Sequence, residues 1–196
     1  MKHTKKIVCS VMAIIAVVTG KDYIPNQEEL LNPVGMVQIS GEDVGFLHVS
    51  QEALELIGNA EACRRTPYVC PAGLPTDGIG NTKNVTGEKK TDEQIAADWV
   101  RNIIRAQNCL IATSDFDSMS QGQKDAFSSF VFNTGCTRFR MNRDGSETRI
   151  FRKIRQKTYN AACRELRFWV YGGGKKLPGL IERRKKEMSL CLGVIF

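Results

Sequence analysis

The chain opens on a cationic stretch, Lys2, His3, Lys5 and Lys6, runs apolar from Ile7 to Gly20, and turns polar again at Lys21 and Asp22. That order is the layout of an export signal. The 14 residues of the run would span about 21 Å as a helix, whereas a hydrocarbon core is about 30 Å thick, so a permanent anchor is disfavoured. Ser10, Thr19 and Gly20 weaken it further. A cleaved signal peptide, cut after Val18, Thr19 and Gly20, competes with an uncleaved segment able to leave the bilayer. The absence of an Ala-x-Ala site and the presence of Cys9 inside the run favour the second.

Residues 23–49 hold Pro25, Pro33 and several glycines among scattered acids, a linker with room for a small hairpin. From Ser50, an N-cap residue, Ala53, Ile57 and Ala60 with Leu54 and Leu56 repeat on one helical face and predict a helix ending near Glu61. Thr66 to Thr82 carries three prolines and three glycines between β-prone residues and predicts turns and short strands. Thr91 with Gln94, and Ser120 with Gln123, are capping boxes. The first opens a helix with Ile95, Trp99, Ile103 and Ala106 on one side; the second opens a helix carrying Phe127, Phe130 and Val131 and closing at Gly135. Ser146 is expected to cap a short helix bearing Ile150, Phe151 and Ile154. Another helix is expected from Asn160 to Val170, and a last, amphipathic one from Pro178, its basic face formed by Arg183 to Lys186.

Composition adds three constraints. A chain of 196 residues, 42% hydrophobic and 25% charged, is an ordinary globular chain near the upper end of one core, and neither disordered nor polytopic. Sixteen basic and five acidic residues lie between Arg138 and Glu187, a local charge of +11. Such a surface attracts nucleic acid, anionic lipid or acidic cell-wall polymer on charge alone, which admits an exported, basic, non-enzymatic cell-wall or nucleic-acid binding protein. Seven cysteines point to an oxidising compartment, and the odd count leaves one thiol over. With two histidines and no CxxC or HExxH spacing, neither a metal site nor a cofactor is expected.

The candidate chemistry lies where the helix from Ser50 meets the turn-rich stretch: Glu61, eight residues, Cys70, five residues, Thr76. A cysteine hydrolase built on Cys70 would need His48 as its base, and no sequence feature brings the two together. The Glu-x8-Cys-x5-Thr spacing resembles the Glu-x8-Asp-x5-Thr of the phage lysozymes of the T-even type, glycoside hydrolase family 24, with cysteine at the aspartate position. ELIGNAEACRRTPYVCPAG, TDGIGNT, FNTG and AACRELRFWVYGGGKKLPGLIERRKKE match that family's landmarks in order, over about residues 50–193. Cys70 in place of the aspartate, Cys63 two residues after the glutamate, and a cysteine in the weak anchor resemble the disulfide-caged signal-arrest-release endolysins of phages.

The resemblance implies an α+β, mostly α, two-lobed fold with a small β lobe and a larger helical lobe, in a catalytic domain over 50–196 after a releasable segment at 1–22 and a linker at 23–49. It implies hydrolysis of the β-1,4 bond between N-acetylmuramic acid and N-acetylglucosamine in peptidoglycan, by a monomer without affinity for nucleic acid. Glu61 is then the general acid, and Cys70 and Thr76 hold or deprotonate the attacking water. A thiol of ordinary pKa, about 8.5, is a poorer base than aspartate, so either Arg64 or Arg65 lowers it or Thr76 does most of the positioning. Gly78, Gly80, Asn81 and Thr82 are expected to shape the cleft floor, and Asn133 and Thr134 its opposite wall. The caged relatives imply that Cys63 and Cys70 pair while the segment lies in the host inner membrane facing the periplasm. On release to the periplasm Cys9 then attacks that bond. Of three possible pairings for the remaining cysteines, Cys109 with Cys136 and Cys163 with Cys191 is the one preferred.

Overall fold

The structure, a computed structural model, describes residues 8–21, 26–70 and 73–194. The basic start of the export layout, Lys2 to Lys6, and Ile7 and Asp22 at the limits of the apolar run lie outside the described residues. Inside that run α1 (Val11–Thr19) is capped by the Ser10 hydroxyl and stopped by Gly20. It is followed by α2 (Gln27–Leu30), the antiparallel pair β1 (Pro33–Ile39) and β2 (Glu42–Ser50), and α3 (Gln51–Ala60). A second antiparallel pair, β3 (Cys63–Val69) and β4 (Pro75–Ile79), leads through a loop to the long α4 (Asp92–Thr113). The remainder is α5 (Gln121–Thr134), α6 (Cys136–Arg140), α7 (Arg149–Arg155), α8 (Tyr159–Glu165), the two-residue strands β5 (Tyr171–Gly172) and β6 (Lys175–Lys176), and α9 (Pro178–Leu192).

Both capping boxes form, with Thr91 and Ser120 bonding the backbone of Gln94 and Gln123 and receiving the reciprocal bonds. The cap before α7 is Thr148, whose hydroxyl accepts from Phe151 N–H; Ser146 instead closes a tight turn with Asp144. The helix expected over 160–170 ends at Glu165 and tightens into a 3-10 turn, Leu166–Phe168.

Two apolar cores share α4 as a spine. Its first half, through Ile95, Ala96, Trp99, Val100 and Ile103, packs with α1, the β1–β2 hairpin and α3. Its second half, through Ala106, Cys109 and Leu110, packs with α5 and the C-terminal helices. Residues 33–50 are therefore no spacer: alternate residues Val37 and Ile39, Leu47 and Val49, turn inward and join the first core, as a half-buried antiparallel pair should. The apolar run takes part as well. Ile14, Ile15 and Val18 of α1 are buried there, and α1 crosses α3 so closely at Gly58 that a Cβ on that residue would collide with Val11. Among the described residues no helix is long and apolar enough to cross a membrane.

Where the cores meet, Asp125 of α5 is fully buried and accepts from the Ser50 N–H at 2.8 Å, the Ser50 hydroxyl at 2.7 Å and Gln121 at 2.8 Å. Burial pushes its carboxyl up to about 7, against the pull of the Ser50 and Gln121 bonds. Because the folded value exceeds that of the unfolded chain, the protonated form favours folding. The contribution is complete below about pH 4 and fades as pH climbs toward 7. Asp125→Asn should therefore narrow the difference between urea stability at pH 5 and at pH 8 by on the order of 2 kcal/mol; an unchanged difference would show that Asp125 stays ionised throughout.

Candidate active site

Glu61 is the C-cap of α3. Its backbone turns extended there (φ −111°, ψ 155°) while its N–H still bonds Gly58 O at 3.2 Å, so the carboxylate projects from the end of a rigid helix. Its Oε1 receives Nη1 of Arg183 at 2.7 Å. On the other side stands Gly80, whose φ of +66° suits glycine and whose missing Cβ would lie 3.1 Å from Glu61 Oε2; any side chain there would press on the carboxylate.

Arg183 overturns one expectation. With Arg184 it was expected on the solvated basic face of the last helix, yet α9 turns Arg183, Arg184, Glu187 and Cys191 inward. A buried guanidinium must be neutralised and its donors used, and here they are. Arg183 bonds Glu61, Glu187 at 3.1 Å and the Ser129 carbonyl at 3.1 Å, while the Ser129 hydroxyl donates to Glu187 at 2.7 Å. Arg184 reaches Glu187, Asn133 Oδ1 and the Trp169 carbonyl, and lies over the Phe130 ring. The network runs from the large core to Glu61. The basic surface is thus smaller than the charge count implies, though Lys185, Lys186 and most cations of 138–176 remain exposed.

Thr76 sits on β4, buried, its hydroxyl donating to Leu74 O at 3.0 Å. The turn after it is braced from within: Asp77 and Asn81 exchange backbone hydrogen bonds of 2.9 Å, and the buried Asp77 carboxylate holds Lys90 Nζ at 2.9 Å. Lys90 also meets Asp98 at 2.6 Å; burial works against its charge, but these two bonds outweigh it and raise its pKa above the ordinary value. Asn81 spends its amide on Asp77, Lys83 O and Asn102, and Gly78 packs under Ile95. These two brace the turn from inside, whereas Gly80 borders Glu61 and Thr82 is exposed. At the end of α5 Thr134 returns its hydroxyl to Phe130 O at 2.8 Å. Asn133 is exposed, and since Arg184 can only donate to its Oδ1, its NH2 is the end left to offer.

Cys70 is half-buried in the turn between β3 and β4, its N–H on Leu74 O and its carbonyl receiving Gly73 N–H. It lies outside the three disulfides, which join Cys9 to Cys63, Cys109 to Cys136 and Cys163 to Cys191. Around the first, Val8 bridges Arg64 as a short extra strand and Cys9 N–H bonds Cys63 O at 3.3 Å. The two cations considered for the Cys70 thiol are engaged elsewhere: Arg65 pairs with Asp92 at 2.7 Å, and Arg64 stacks 4.2 Å from the centre of the Tyr68 ring. His48 packs between Phe46 and Phe116 on the hairpin, where burial first and Lys124 second lower its pKa; this is no catalytic pair with Cys70. Two residues of the site were not foreseen. Arg183 gave no signal beyond its charge, and Tyr68 enters only through the β3–β4 register, which sets it opposite Thr76.

A glutamate closing a helix that leads straight into a threonine-bearing β-hairpin, in a fold with a small mixed lobe and a larger helical one, is the arrangement of a lysozyme. The sequence profile of the phage lysozyme family matches residues 58–187, and the chain belongs to that family. It is 44% identical over 154 residues to the SAR-endolysin of Escherichia phage P1, covering 76% of this chain and 83% of that protein. The active form of the P1 phage endolysin Lyz superposes with a TM-score of 0.76 at 37% identity, over 95% of this chain and 96% of that one. The secreted inactive form of the same endolysin gives 0.55 at 43% identity, over 74% and 96%.

Proposed function

We propose that this protein is a phage endolysin, a muramidase that cuts the β-1,4 bond between N-acetylmuramic acid and N-acetylglucosamine of host peptidoglycan, as a monomer in the periplasm. The observation that carries the reading is Glu61 at the helix end, braced by Arg183 and Gly80, with Thr76 on the hairpin that follows. Protonated Glu61 gives its proton to the leaving oxygen as the glycosidic bond breaks. Water attacks the anomeric carbon from the opposite face, with inversion. Thr76 Oγ1, its own proton spent on Leu74, accepts a hydrogen bond from that water, and Cys70 lines the same pocket as a polarisable neighbour. Because the transition state is oxocarbenium-like, bond breaking runs ahead of attack and a strong base is not required; the surplus proton of the water leaves to solvent. Membership of a lysozyme family sets aside the non-enzymatic reading.

Regulation follows the same residues. Ile7 to Gly20 holds the chain on the inner membrane, with Cys63 joined to Cys70; after release Cys9 exchanges into the Cys63 bond and α1 docks in the small lobe. The Cys9–Cys63 bond and the greater likeness to an active form than to an inactive one support taking the present state as the working enzyme. Digestion of purified sacculi should yield muropeptides ending in reducing N-acetylmuramic acid, read by mass spectrometry after borohydride reduction. Reducing N-acetylglucosamine ends, or cut peptides with intact glycan, would overturn the assignment.

A further inference from the structure

The attacking water is held on one side only by the residues considered so far. Thr76 offers lone pairs, since its proton is on Leu74 O at 3.0 Å, so it fixes a hydrogen of the water but leaves both water lone pairs unassigned. One must point at the anomeric carbon. The other needs a donor.

Tyr68 stands directly across the β3–β4 ladder from Thr76, and opposite residues of an antiparallel pair leave the ribbon on the same face, with Cβ atoms about 5 Å apart. Its ring is half-buried and carries the Arg64 guanidinium on one face, 4.2 Å from the ring centre. Among the described residues its hydroxyl has no hydrogen-bond partner. One face of the ribbon therefore carries, on paired residues, an O–H donor that no described residue uses and an oxygen that can only accept. We infer that Tyr68 is a further residue of the reaction: its phenolic O–H donates to the attacking water while Thr76 Oγ1 accepts from it, leaving one lone pair aligned on the sugar.

This rests on the muramidase reading above. The phenol keeps its proton throughout: the new C–O bond is made by the water, the broken one is glycosidic, Glu61 supplies the proton of the leaving group and the surplus proton of the water goes to solvent. Burial, reinforced by negative charge at Glu61, Cys70 and Asp77 and opposed by Arg64, raises the Tyr68 pKa above its ordinary value, which suits a permanent donor. Tyrosine here also bears on the Cys70 substitution, since two-point positioning of the water lessens the need for a base.

The test uses the full chain in its Cys9–Cys63 form, with Tyr68→Phe, Thr76→Ala, their double variant and Glu61→Gln assayed on soluble glycan strands. Tyr68→Phe removes one oxygen and keeps the ring under Arg64. Its kcat should fall about tenfold, the worth of one neutral hydrogen bond, with KM within about twofold and an unchanged melting curve. Because both side chains hold one water, the double variant should be little worse than the poorer single one. Carbon-13 NMR titration of the tyrosines should show the Tyr68 pKa falling in Glu61→Gln. A wild-type kcat for Tyr68→Phe, fully additive losses in the double variant, or a Tyr68 titration indifferent to Glu61→Gln would each overturn the inference. If Glu61→Gln itself remains active, the muramidase reading fails first; if it is inactive while Tyr68→Phe is normal, only the role of Tyr68 is lost.

Discussion

Glu61→Gln is expected to fold, form its three disulfides and clear no cells. Glutamine keeps an oxygen for Arg183 Nη1 and the same fit against Gly80, so the buried Arg183–Glu187–Ser129 network loses no partner and the melting curve should match the wild type. What is lost is the proton. The amide cannot donate to the leaving oxygen as a carboxylic acid does, and removal of a general acid costs about 100- to 10,000-fold. Turbidity of permeabilised cells and the appearance of reducing ends should both fall to background. A correctly folded Glu61→Gln protein with normal specific activity would eliminate the glycosidase mechanism.

Cys9→Ser carries the second large effect: a protein that is exported yet stays inactive until a reductant is added. Cys63 opens β3 and Cys70 lies in the turn just past its end, seven residues on. An extended strand covers about 23 Å over that distance, whereas a disulfide needs Cα atoms within about 7 Å. A Cys63–Cys70 bond is therefore incompatible with the β3–β4 ribbon, and the cage must work by dismantling that ribbon, with the Thr76 register, rather than by plugging a finished cleft. In the proposed mechanism Cys9 is the thiol that exchanges the ribbon back, so without it only added dithiothreitol should restore activity; Cys63→Ser, with no cage, should act too early. Lysis by Cys9→Ser at the wild-type rate without reductant, or a Cys63–Cys70 peptide in fully active wild type, would refute this.

The elements with local signals were legible in the chain. The two capping boxes, Pro178 opening α9 and the turn chemistry of 66–82 each depend on a few adjacent residues, and they stand where expected. The alternation in the hairpin is short and broken by glycines, so Val37, Ile39, Leu47 and Val49 show their common face only once the strands pair. Arg183 and Arg184 were misplaced for a different reason. Charge on a helix normally marks the wet side, and the groups that make these two burial-competent, Glu61, Ser129, Asn133 and the Trp169 carbonyl, come from two other helices and a turn. Glu61, Cys70 and Thr76 are singled out as candidates by their spacing together with the family resemblance; the groups that brace them carry no such signal, because Gly80, Arg183 and Lys90 act through folded distances.

α1 answers to two solvents. In the folded enzyme Ile14, Ile15 and Val18 face the core, but Met12 and Ala13 point into water and α1 has no acidic or basic side chain on its outer face. A helix selected only for packing would be free to carry lysine or glutamate at those two positions, and its exposed methionine is a small cost to solubility. The fold does not explain that choice; the membrane stage proposed above would. Such a segment is under double selection, and it narrows evolution unequally: inward positions are fixed by both environments, outward ones by the bilayer alone. Homologues that lost the membrane stage should drift first at positions 12 and 13.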